Sequence, residues 1–307
     1  MTNGAPGATP RADPRPARPP IRPDERRFYA GNRAIGRFGM RVFDAALMEA
    51  PHWHGHVEGN LLAGGSMTYA VEDRLIEVPP GRLTLFWAGI PHRLVALHPS
   101  GEAPVRLHNL YLPLDAFLFM PHVARLQVAL LSGGMACLDP ALVTEATIQG
   151  WYRDYRSGDP ERREVLFMEL NAAMRRALLD PVEFLRAPAA DAEAQAPRAA
   201  RTAHVVAMLR HIMENLATPM TNAEVAAVTG LHEGYAMSLF TAVMRMPMRR
   251  FIIRMRLMRA RALLTEGNAT VASVATAAGF SSLSQFHEQF RRAYGTTPQA
   301  LREGRAA

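Results

Sequence analysis

Polar residues recur at every second position between residues 52 and 60, the segment best suited to binding a ligand. From residue 51 the chain reads Pro-His-Trp-His-Gly-His-Val-Glu-Gly-Asn. Alternate side chains of an extended strand share a face, so one face would carry five polar residues. These are His52, His54, His56, Glu58 and Asn60. Burying them is costly unless they bind something, so a barrel strand of this kind predicts a ligand pocket.

A second segment adds one more imidazole. Residues 81–92 read Gly-Arg-Leu-Thr-Leu-Phe-Trp-Ala-Gly-Ile-Pro-His, which places His92 directly after a tight turn. Trp87 lies in the same segment. We interpret it either as an aromatic platform for a ligand or as an ordinary core residue.

The elements that would position these residues are short strands. Runs typical of β-strands, separated by Gly and Pro, occur at 37–43, 57–62, 66–71, 74–78, 82–87, 93–97 and 105–111. Strands of this length and spacing indicate a small barrel or sandwich.

A helical pattern replaces the strands at residues 115–183. We predict helices at 116–120, 123–131, 140–155 and 162–179. In the last of these, five apolar residues fall near one face: Val165, Met168, Leu170, Met174 and Leu178. Such a Met-rich stripe is typical of a core or a subunit interface.

The two polar segments resemble the two motifs of cupin barrels. The first motif is matched by His52, His54, Glu58 and Gly65, and the second by Gly81, Gly89 and His92. Trp87 stands where Pro is usual, and Ala96 replaces the late Asn.

The cupin resemblance implies two kinds of pocket. In metal cupins, His52, His54, Glu58 and His92 would bind a divalent metal such as Fe, Mn, Ni or Zn. In metal-free cupins of sugar-responsive regulators, the cavity holds a small polar ligand. We expect a ligand pocket that requires no cofactor, and keep the metal-assisted pocket and a solvent-facing polar strand as alternatives.

Near the C-terminus, the sequence predicts two short helices around Gly279. The first helix has Thr270 as its N-cap and an apolar stripe at i, i+3, i+4 and i+7: Val271, Val274, Ala275 and Ala278. The inner stripe of the second helix is Leu283, Phe286 and Phe290. Its outward residues are Ser284, Gln285, His287, Glu288 and Arg291. This is the pattern of a helix-turn-helix unit that enters the DNA major groove, with an ordinary helical hairpin as the alternative.

A second copy of this unit begins 49 residues earlier. Val225-Ala226 and Gly230-Leu231 correspond to Val274-Ala275 and Gly279-Phe280, and Thr221 forms a capping box with Glu224. The expected inward residues are Ala236, Leu239, Phe240 and Val243, and the outward ones are Glu233, Gly234, Met237, Ser238 and Thr241. Two such units on one body can enter successive major grooves.

Positive charge is concentrated in this part of the chain. Residues 204–307 hold 12 arginines and 6 acidic residues, whereas residues 28–203 hold 17 arginines and 19 acidic residues. A predicted helix at 249–264 joins the two units and carries six arginines: Arg249, Arg250, Arg254, Arg256, Arg259 and Arg261. We interpret them as cationic surface for DNA phosphates.

Residues 205–302 resemble the AraC/XylS family of bacterial transcription regulators. The resemblance rests on the repeat and on Val274-Ala275, Gly279-Phe280, Ser282, Ser284, Phe286, Phe290, Gly295 and Thr297-Pro298. It implies two DNA-reading faces: Gly234, Met237 and Ser238 in the first unit, and Leu283, Ser284, Gln285, His287, Glu288 and Arg291 in the second.

Two departures from the family pattern lower the expected number of strong base contacts. Many relatives have Trp or Arg where this chain has Gly234 and Ser238, and no arginine precedes Arg291 on the second outer face. Bidentate guanine contacts are therefore expected to be few.

Segments 52–60, 85–92 and 234–237 resemble the melibiose-operon activator branch of the family, which implies a sugar effector. Sugars need hydrogen-bonding groups and an aromatic face. The expected ligand-binding residues are His52, Trp53, His54, His56, Glu58, Asn60, Trp87 and His92. The resemblance also implies double-stranded DNA and RNA polymerase as partners, and a homodimer.

Composition limits the class of protein and its cellular compartment. The single cysteine, Cys137, excludes an internal disulfide and suits a reducing cytoplasm, and the sequence has no apolar run of membrane-spanning length. We predict a disordered tail at 1–27, a cupin-like barrel at 28–114, a helical region at 115–186, a linker at 187–204 and a double helix-turn-helix domain at 205–302.

The sequence therefore predicts an α+β protein: an N-terminal cupin-like β-barrel with a helical extension, and a C-terminal all-α DNA-binding domain. The function predicted is a cytoplasmic, ligand-responsive regulator that activates a sugar-utilisation operon. The alternative is a metal-dependent cupin enzyme fused to a DNA-binding domain.

Overall fold

The computed structural model describes residues 38–188, 198–266 and 269–303, and the predicted tail at 1–27 lies outside them. The first half is built on strands: β1 (Gly39–Asp44), β2 (His56–Ala63), β3 (Gly65–Val71), β4 (Arg74–Val78), β5 (Thr84–Trp87), β6 (His92–Pro99), β7 (Arg106–Pro113), β8 (Met135–Cys137) and β9 (Glu183–Arg186). The predicted strands are confirmed, with shifts of one or two residues at their ends. The mixed α+β class is also confirmed.

The strands form two antiparallel sheets that share one interior. The larger sheet has the order β1-β7-β2-β5-β8-β9 and the smaller one β4-β3-β6. Side chains of both sheets meet in an apolar cluster that includes Leu62, Met67 and Phe86. A bridge between His52 and His92 connects the sheets at one end of this lumen.

The region predicted to be helical, residues 115–186, also completes the larger sheet. Its helices are α1 (Leu114–Phe119), α2 (Ala124–Leu131), α3 (Glu145–Ser157) and α4 (Pro160–Ala177). Strands β8 and β9 were not predicted, because three or four residues are too few to show an alternating pattern. They are held by long-range pairing of β8 with β5 and of β9 with β8.

Helix α4 buries a different stripe from the predicted one. Its buried residues are Leu166, Leu170, Ala173, Met174 and Ala177. Val165 and Met168 are 49% and 61% exposed, so they are not part of the core, and the subunit interface stays a prediction for them. The helix packs against α3 through the neighbouring stripe and leaves these two side chains on its outer side.

The second half of the chain is helical. It consists of α5 (Arg198–Glu214), α6 (Asn222–Ala227), α7 (Glu233–Met244), α8 (Met248–Glu266), α9 (Val271–Ala277), α10 (Leu283–Tyr294) and α11 (Pro298–Arg302). Helix α5 begins inside the stretch 187–204 predicted as a linker. Within the described helices, none is both long and apolar enough to cross a membrane.

Both helix-turn-helix units have the predicted caps. The Thr221–Glu224 capping box is present at the start of α6, and the Thr270 hydroxyl accepts a hydrogen bond from the Ser273 amide at the start of α9. The turn of the second unit needs glycine: Gly279 has a φ of +96°, and a Cβ there would lie 2.4 Å from the Leu216 carbonyl oxygen.

Two separate apolar cores organise the helical half. One core runs without a break from the outer face of the larger sheet through α5 into the first unit, and includes Leu85, Leu209 and Phe240. The second unit has its own core with part of α8, which includes Leu257, Phe286 and Phe290. The barrel and the first unit are therefore one packed body, to which the second unit is attached.

Candidate effector and DNA-binding sites

Strand β2 places its polar residues inside the barrel. His56, Glu58 and Asn60 are all buried on one face of the strand. Glu58 is opposite Phe86 and Tyr111 in the neighbouring strands, so these aromatic rings share its face. His52 and His54 precede the strand, and the His52–His92 bridge brings them to the same end of the lumen.

Four residues at this end form a compact cluster: His52, His54, Glu58 and His92. One nitrogen or carboxylate oxygen from each lies within 4.8 Å of all the others. His54 Nε2 is 2.6 Å from Glu58 Oε1, and His92 Nε2 is 3.9 Å from the same oxygen. The structure therefore brings together the four residues that the sequence suggested as metal ligands.

Burial keeps the imidazoles of this cluster neutral. It lowers the pKa of His52 and of His54, and lowers that of His92 to about 4 although Glu58 acts in the opposite direction. His92 Nδ1 lies 2.9 Å from the Ile90 carbonyl and must donate to it. Its Nε2 is thus an unprotonated acceptor, with no hydrogen-bond partner among the described residues.

The donor set fits a divalent metal. Neutral imidazole and carboxylate are the ligands that such ions take, at bonds of about 2.0–2.2 Å for Zn²⁺. Two atoms on opposite sides of one ion are then about 4 Å apart, close to the spread of the four atoms here. The hydrogen bond from His92 to Ile90 is the kind that fixes the tautomer of a metal-binding histidine.

Deeper in the lumen, a chain of polar groups follows the cluster. The Asn60 amide donates to the Tyr69 hydroxyl at 3.2 Å, and the Asn109 amide donates to Asn60 Oδ1 at 2.8 Å. Thr84 is opposite Asn60 and is fully buried. Sequence reasoning missed these three residues, because only strand register places Thr84 and Asn109 beside Asn60, and only the packing of the two sheets brings Tyr69 to it.

The two tryptophans expected to contact a ligand pack instead against helices of the DNA-binding half. Trp87 is opposite Val57, on the outer face of the sheet, where its ring lies 6.1 Å from that of Phe251 in α8. The ligand role predicted for Trp87 is therefore wrong, and the core alternative is confirmed. Trp53 stacks on Tyr294 of α10, with ring centroids 4.6 Å apart.

The recognition helix of the second unit presents most of its predicted outer face. Ser284, Glu288 and Arg291 are exposed, and Gln285 and His287 are half-buried. The sequence places Leu283 both on the inner stripe and on the DNA face. It is 46% exposed, because Ser282 is the N-cap and the core is filled by Phe286 and Phe290, so the inner assignment is wrong.

The first recognition helix, α7, offers a smaller polar face. Gly234 and Ser238 are exposed and Met237 is half-buried. Tyr235 is 52% exposed and was missed, because an aromatic residue next to Ala236 was not expected on the outer side. Val243, expected inward, is half-buried against the core, and the neighbouring Met244 is fully buried there.

Only some of the arginines in α8 are on the surface. Arg249 and Arg250 are exposed, as are Arg291 and Arg292 of α10. The other four α8 arginines are half-buried: Arg254, Arg256, Arg259 and Arg261. Arg256, for example, donates to the carbonyls of Leu216 and Thr218. Treating all six as a surface for phosphates was therefore wrong.

Comparison with known proteins agrees with this arrangement of sites. The family model "AraC-like ligand binding domain" matches residues 44–125, and a "Helix-turn-helix domain" model matches residues 225–304. The two ranges together cover just over half of the chain.

Two relatives are transcription regulators by name. The melibiose operon regulatory protein of Escherichia coli strain K12 is 28% identical over 261 residues, which are 84% of each chain. The HTH-type transcriptional activator RhaS of Escherichia fergusonii is 28% identical over 151 residues, 47% of each chain.

A solved structure shares the fold of the whole molecule. ToxT from Vibrio cholerae, bound to (E)-4-(8-methylnaphthalen-1-yl)but-3-enoic acid, superposes with a TM-score of 0.51 at 10% identity, over 86% of this chain and 98% of that one. With a ligand-binding domain, a helix-turn-helix domain and relatives of this kind, the chain belongs to the AraC family of DNA-binding transcription regulators.

Proposed function

We propose that this regulator activates a sugar-utilisation operon in response to a sugar bound in the barrel lumen. The observation that carries the proposal is the buried polar row from His92 and Glu58 to Asn60 and Asn109, in one packed body with the first helix-turn-helix unit. A sugar presents many hydroxyl groups, and this row supplies donors and acceptors for them. Two relatives support the proposal by their names: one is a melibiose operon regulatory protein and the other, RhaS, is a transcriptional activator.

Aromatic contact with the sugar would come from residues other than the tryptophans. Phe86 and Tyr111 flank Glu58 on the lumen face, and Tyr69 lies beside Asn60. Aromatic walls with a few well-placed polar groups are the usual composition of small-ligand sites.

A divalent metal is the second candidate occupant of the lumen. His52, His54, Glu58 and His92 would hold it, and it would supply a Lewis-acidic centre for hydroxyl groups of the ligand. His54 Nε2 donates to Glu58 in the structure, since its Nδ1 accepts from the His56 amide. Binding of a metal at Nε2 would require the other neutral tautomer, with the proton on Nδ1, and would replace the hydrogen bonds that His54 makes to Glu58 and to the His56 amide.

The metal also bears on the alternative of a cupin enzyme fused to a DNA-binding domain. Stoichiometric metal together with turnover of a sugar, both lost in His54→Ala, would favour the enzyme. We propose regulation, because the relatives with matching domains are regulators.

Binding to DNA as a dimer completes the proposal. The exposed pair Val165 and Met168 on α4 is a surface through which two copies can associate. Each copy would place α7 and α10 in successive major grooves, and the bound dimer would contact RNA polymerase.

The experiment that tests the function is DNA binding by the full chain on its own promoter region. Fluorescence anisotropy at several salt concentrations would compare protein alone with protein plus melibiose, other galactosides, glucosides or pentoses. We expect one sugar class to change Kd for promoter DNA by about fivefold or more. Absence of salt-dependent binding with and without every sugar would contradict the proposal.

The matched variant for this experiment is Glu58→Gln. It keeps the size of a buried side chain and removes its charge, so the sugar response should be lost. DNA binding without sugar would be measured for the same variant, which separates loss of the sugar response from loss of DNA binding.

A further inference from the structure

The loop that carries the lumen histidines is also the barrel's contact with the second helix-turn-helix unit. Trp53 stacks flat on Tyr294, the last residue of α10, with ring centroids 4.6 Å apart and an interplanar angle of 7°. The Trp53 carbonyl accepts a hydrogen bond from Arg261 of α8 at 3.1 Å. We call this arrangement the Trp53–Tyr294 contact.

Two arginines of α8 extend the contact on either side. The Arg254 guanidinium lies 5.4 Å from the Trp53 ring and 5.3 Å from the Trp87 ring. The Arg261 guanidinium lies 5.3 Å from the Tyr294 ring. All three distances are those of cation–π pairs, so α8, the barrel and α10 meet in one cluster of aromatic and cationic groups.

Trp53 cannot move independently of the lumen cluster. Its neighbours in the chain, His52 and His54, both belong to the cluster. The backbones of His52 and His92 exchange two hydrogen bonds, each amide donating to the other residue's carbonyl. The His54 amide donates to the Ala88 carbonyl. A ligand or ion that pulls on the two imidazoles therefore acts on the short stretch of backbone that carries the indole ring between them.

The orientation of the second helix-turn-helix unit depends on this contact more than the orientation of the first unit does. The first unit shares its core with the barrel, whereas the second has a core of its own. The orientation of α10 is thus set by α8 and by surface contacts, among which the Trp53–Tyr294 contact is the one with the lumen loop.

The contact contains groups that water would stabilise if it opened. Burial lowers the pKa of the Arg254 guanidinium to about 10, and the Tyr294 hydroxyl has no hydrogen-bond partner among the described residues. A buried guanidinium and a buried hydroxyl without a hydrogen-bond partner both disfavour the closed arrangement, so they offset part of the attraction between the rings. Such an interface is suited to a reversible contact.

We propose that Trp53 couples occupancy of the lumen cluster to the orientation of the second helix-turn-helix unit. This inference rests on the proposed function, in that the occupant is the effector or a metal. Coupling is reciprocal: if an occupant changes the affinity for DNA, promoter DNA changes the affinity for the occupant by the same factor.

The first arm of the test needs no ligand. Hydrogen–deuterium exchange would be measured on the full chain for the wild type, Trp53→Ala, Tyr294→Leu and the control Tyr294→Phe. We expect Trp53→Ala to raise exchange at 289–297 and Tyr294→Leu to raise it at 51–56, each in the other half of the molecule. Tyr294→Phe keeps the stacked ring and should change neither segment.

The paired variants guard against a folding defect. A barrel that unfolds in Trp53→Ala cannot explain a change in the loop of Tyr294→Leu, whose substitution is in α10. Unchanged exchange at the opposite segment in both variants would overturn the contact itself.

The second arm measures coupling with melibiose and Zn²⁺ as the two probes. Promoter Kd would be measured with and without each probe, and probe binding would be followed by calorimetry. We expect the ratio of the two Kd values to be about fivefold or more in the wild type. It should fall to about one in Trp53→Ala, which should still bind the probe, and stay at the wild-type value in Tyr294→Phe.

The outcomes of the two arms separate the two proposals. A wild-type ratio preserved in Trp53→Ala, or a ratio of one with a probe that binds, would overturn the coupling. If neither probe binds the wild type, melibiose and Zn²⁺ are not the occupants and the sugar class found by the promoter experiment replaces them, while the exchange experiment still decides whether the contact exists.

Discussion

Nε2 of His54 lies 2.6 Å from the carboxylate of Glu58 in the closed end of the barrel, and both side chains are buried. Glu58 is also 3.9 Å from Nε2 of His92. One carboxylate therefore lies beside two imidazoles, and burial keeps both imidazoles uncharged. The chemistry of the lumen depends on these histidines staying neutral, and this has a measurable effect on stability.

We predict that the metal-free protein loses stability as the pH falls from about 6.5 to 4. Burial lowers the pKa of His92 to about 4 in the folded protein, whereas the unfolded chain has the ordinary value near 6.5. Between these values the unfolded state binds more protons, so the free energy of unfolding falls with pH, by up to about 1.4 kcal/mol per pH unit for each such histidine.

Urea denaturation in EDTA at pH 7.5, 6.0 and 5.0 would measure this dependence. His92→Gln should make it shallower, whereas His98→Gln, at an exposed position of the same strand, should leave it unchanged. Equal slopes for the wild type and His92→Gln would show that His92 is not held neutral.

We predict that Gly279→Ala destabilises the protein by about 2 kcal/mol or more, because it combines a left-handed φ with a steric clash. The new Cβ would lie 2.4 Å from the Leu216 carbonyl oxygen. Gly158→Ala is the matched control, since Gly158 has a φ of +73° and nothing within 4 Å of its Cβ position. The control should cost about 1 kcal/mol, measured by chemical denaturation; equal losses would mean that the clash is relieved at no cost.

We predict that Val165→Glu combined with Met168→Glu converts a dimer to a monomer. Both side chains are exposed on α4, and a carboxylate there would be buried without a partner if two copies associate through this face. Analytical ultracentrifugation would give the mass in solution. Leu75→Glu, at a residue 73% exposed on β4, is the control that should keep the wild-type mass; a double variant that remains dimeric would place the interface elsewhere.

We predict that His287→Ala and Arg291→Ala weaken DNA binding in different ways. His287 lies in the second turn of α10, within reach of base edges, so its loss should weaken binding to cognate sites more than to random DNA, by about 1–3 kcal/mol. Arg291 is exposed in the last part of α10, so its loss should weaken both about equally and reduce the salt dependence of log Kd by about one. Kd values on both kinds of DNA at three salt concentrations would check this. An equal loss on both DNAs for His287→Ala would assign it to phosphate contact or packing.

The sequence by itself determined the features that depend on local patterns. Alternation predicted the strands around Glu58, and the capping residues Thr221 and Thr270 with the apolar stripes of α9 and α10 predicted both helix-turn-helix units. These features follow from the period of side chains and from hydrogen bonds three residues apart, which neighbouring residues carry by themselves.

Only the tertiary structure decided which side of each element is used. Trp87 and Phe86 are neighbours in one strand, yet Phe86 faces the lumen and Trp87 faces α8, because the pairing register and the packing of the DNA-binding half fix the two faces. Asn109 meets Asn60 through strand pairing across 49 positions. Arg254 and Arg261 face the barrel for the same reason: the contacts that turn them inward, to Trp53 and Tyr294, lie far away in the chain and leave no periodic pattern in its sequence.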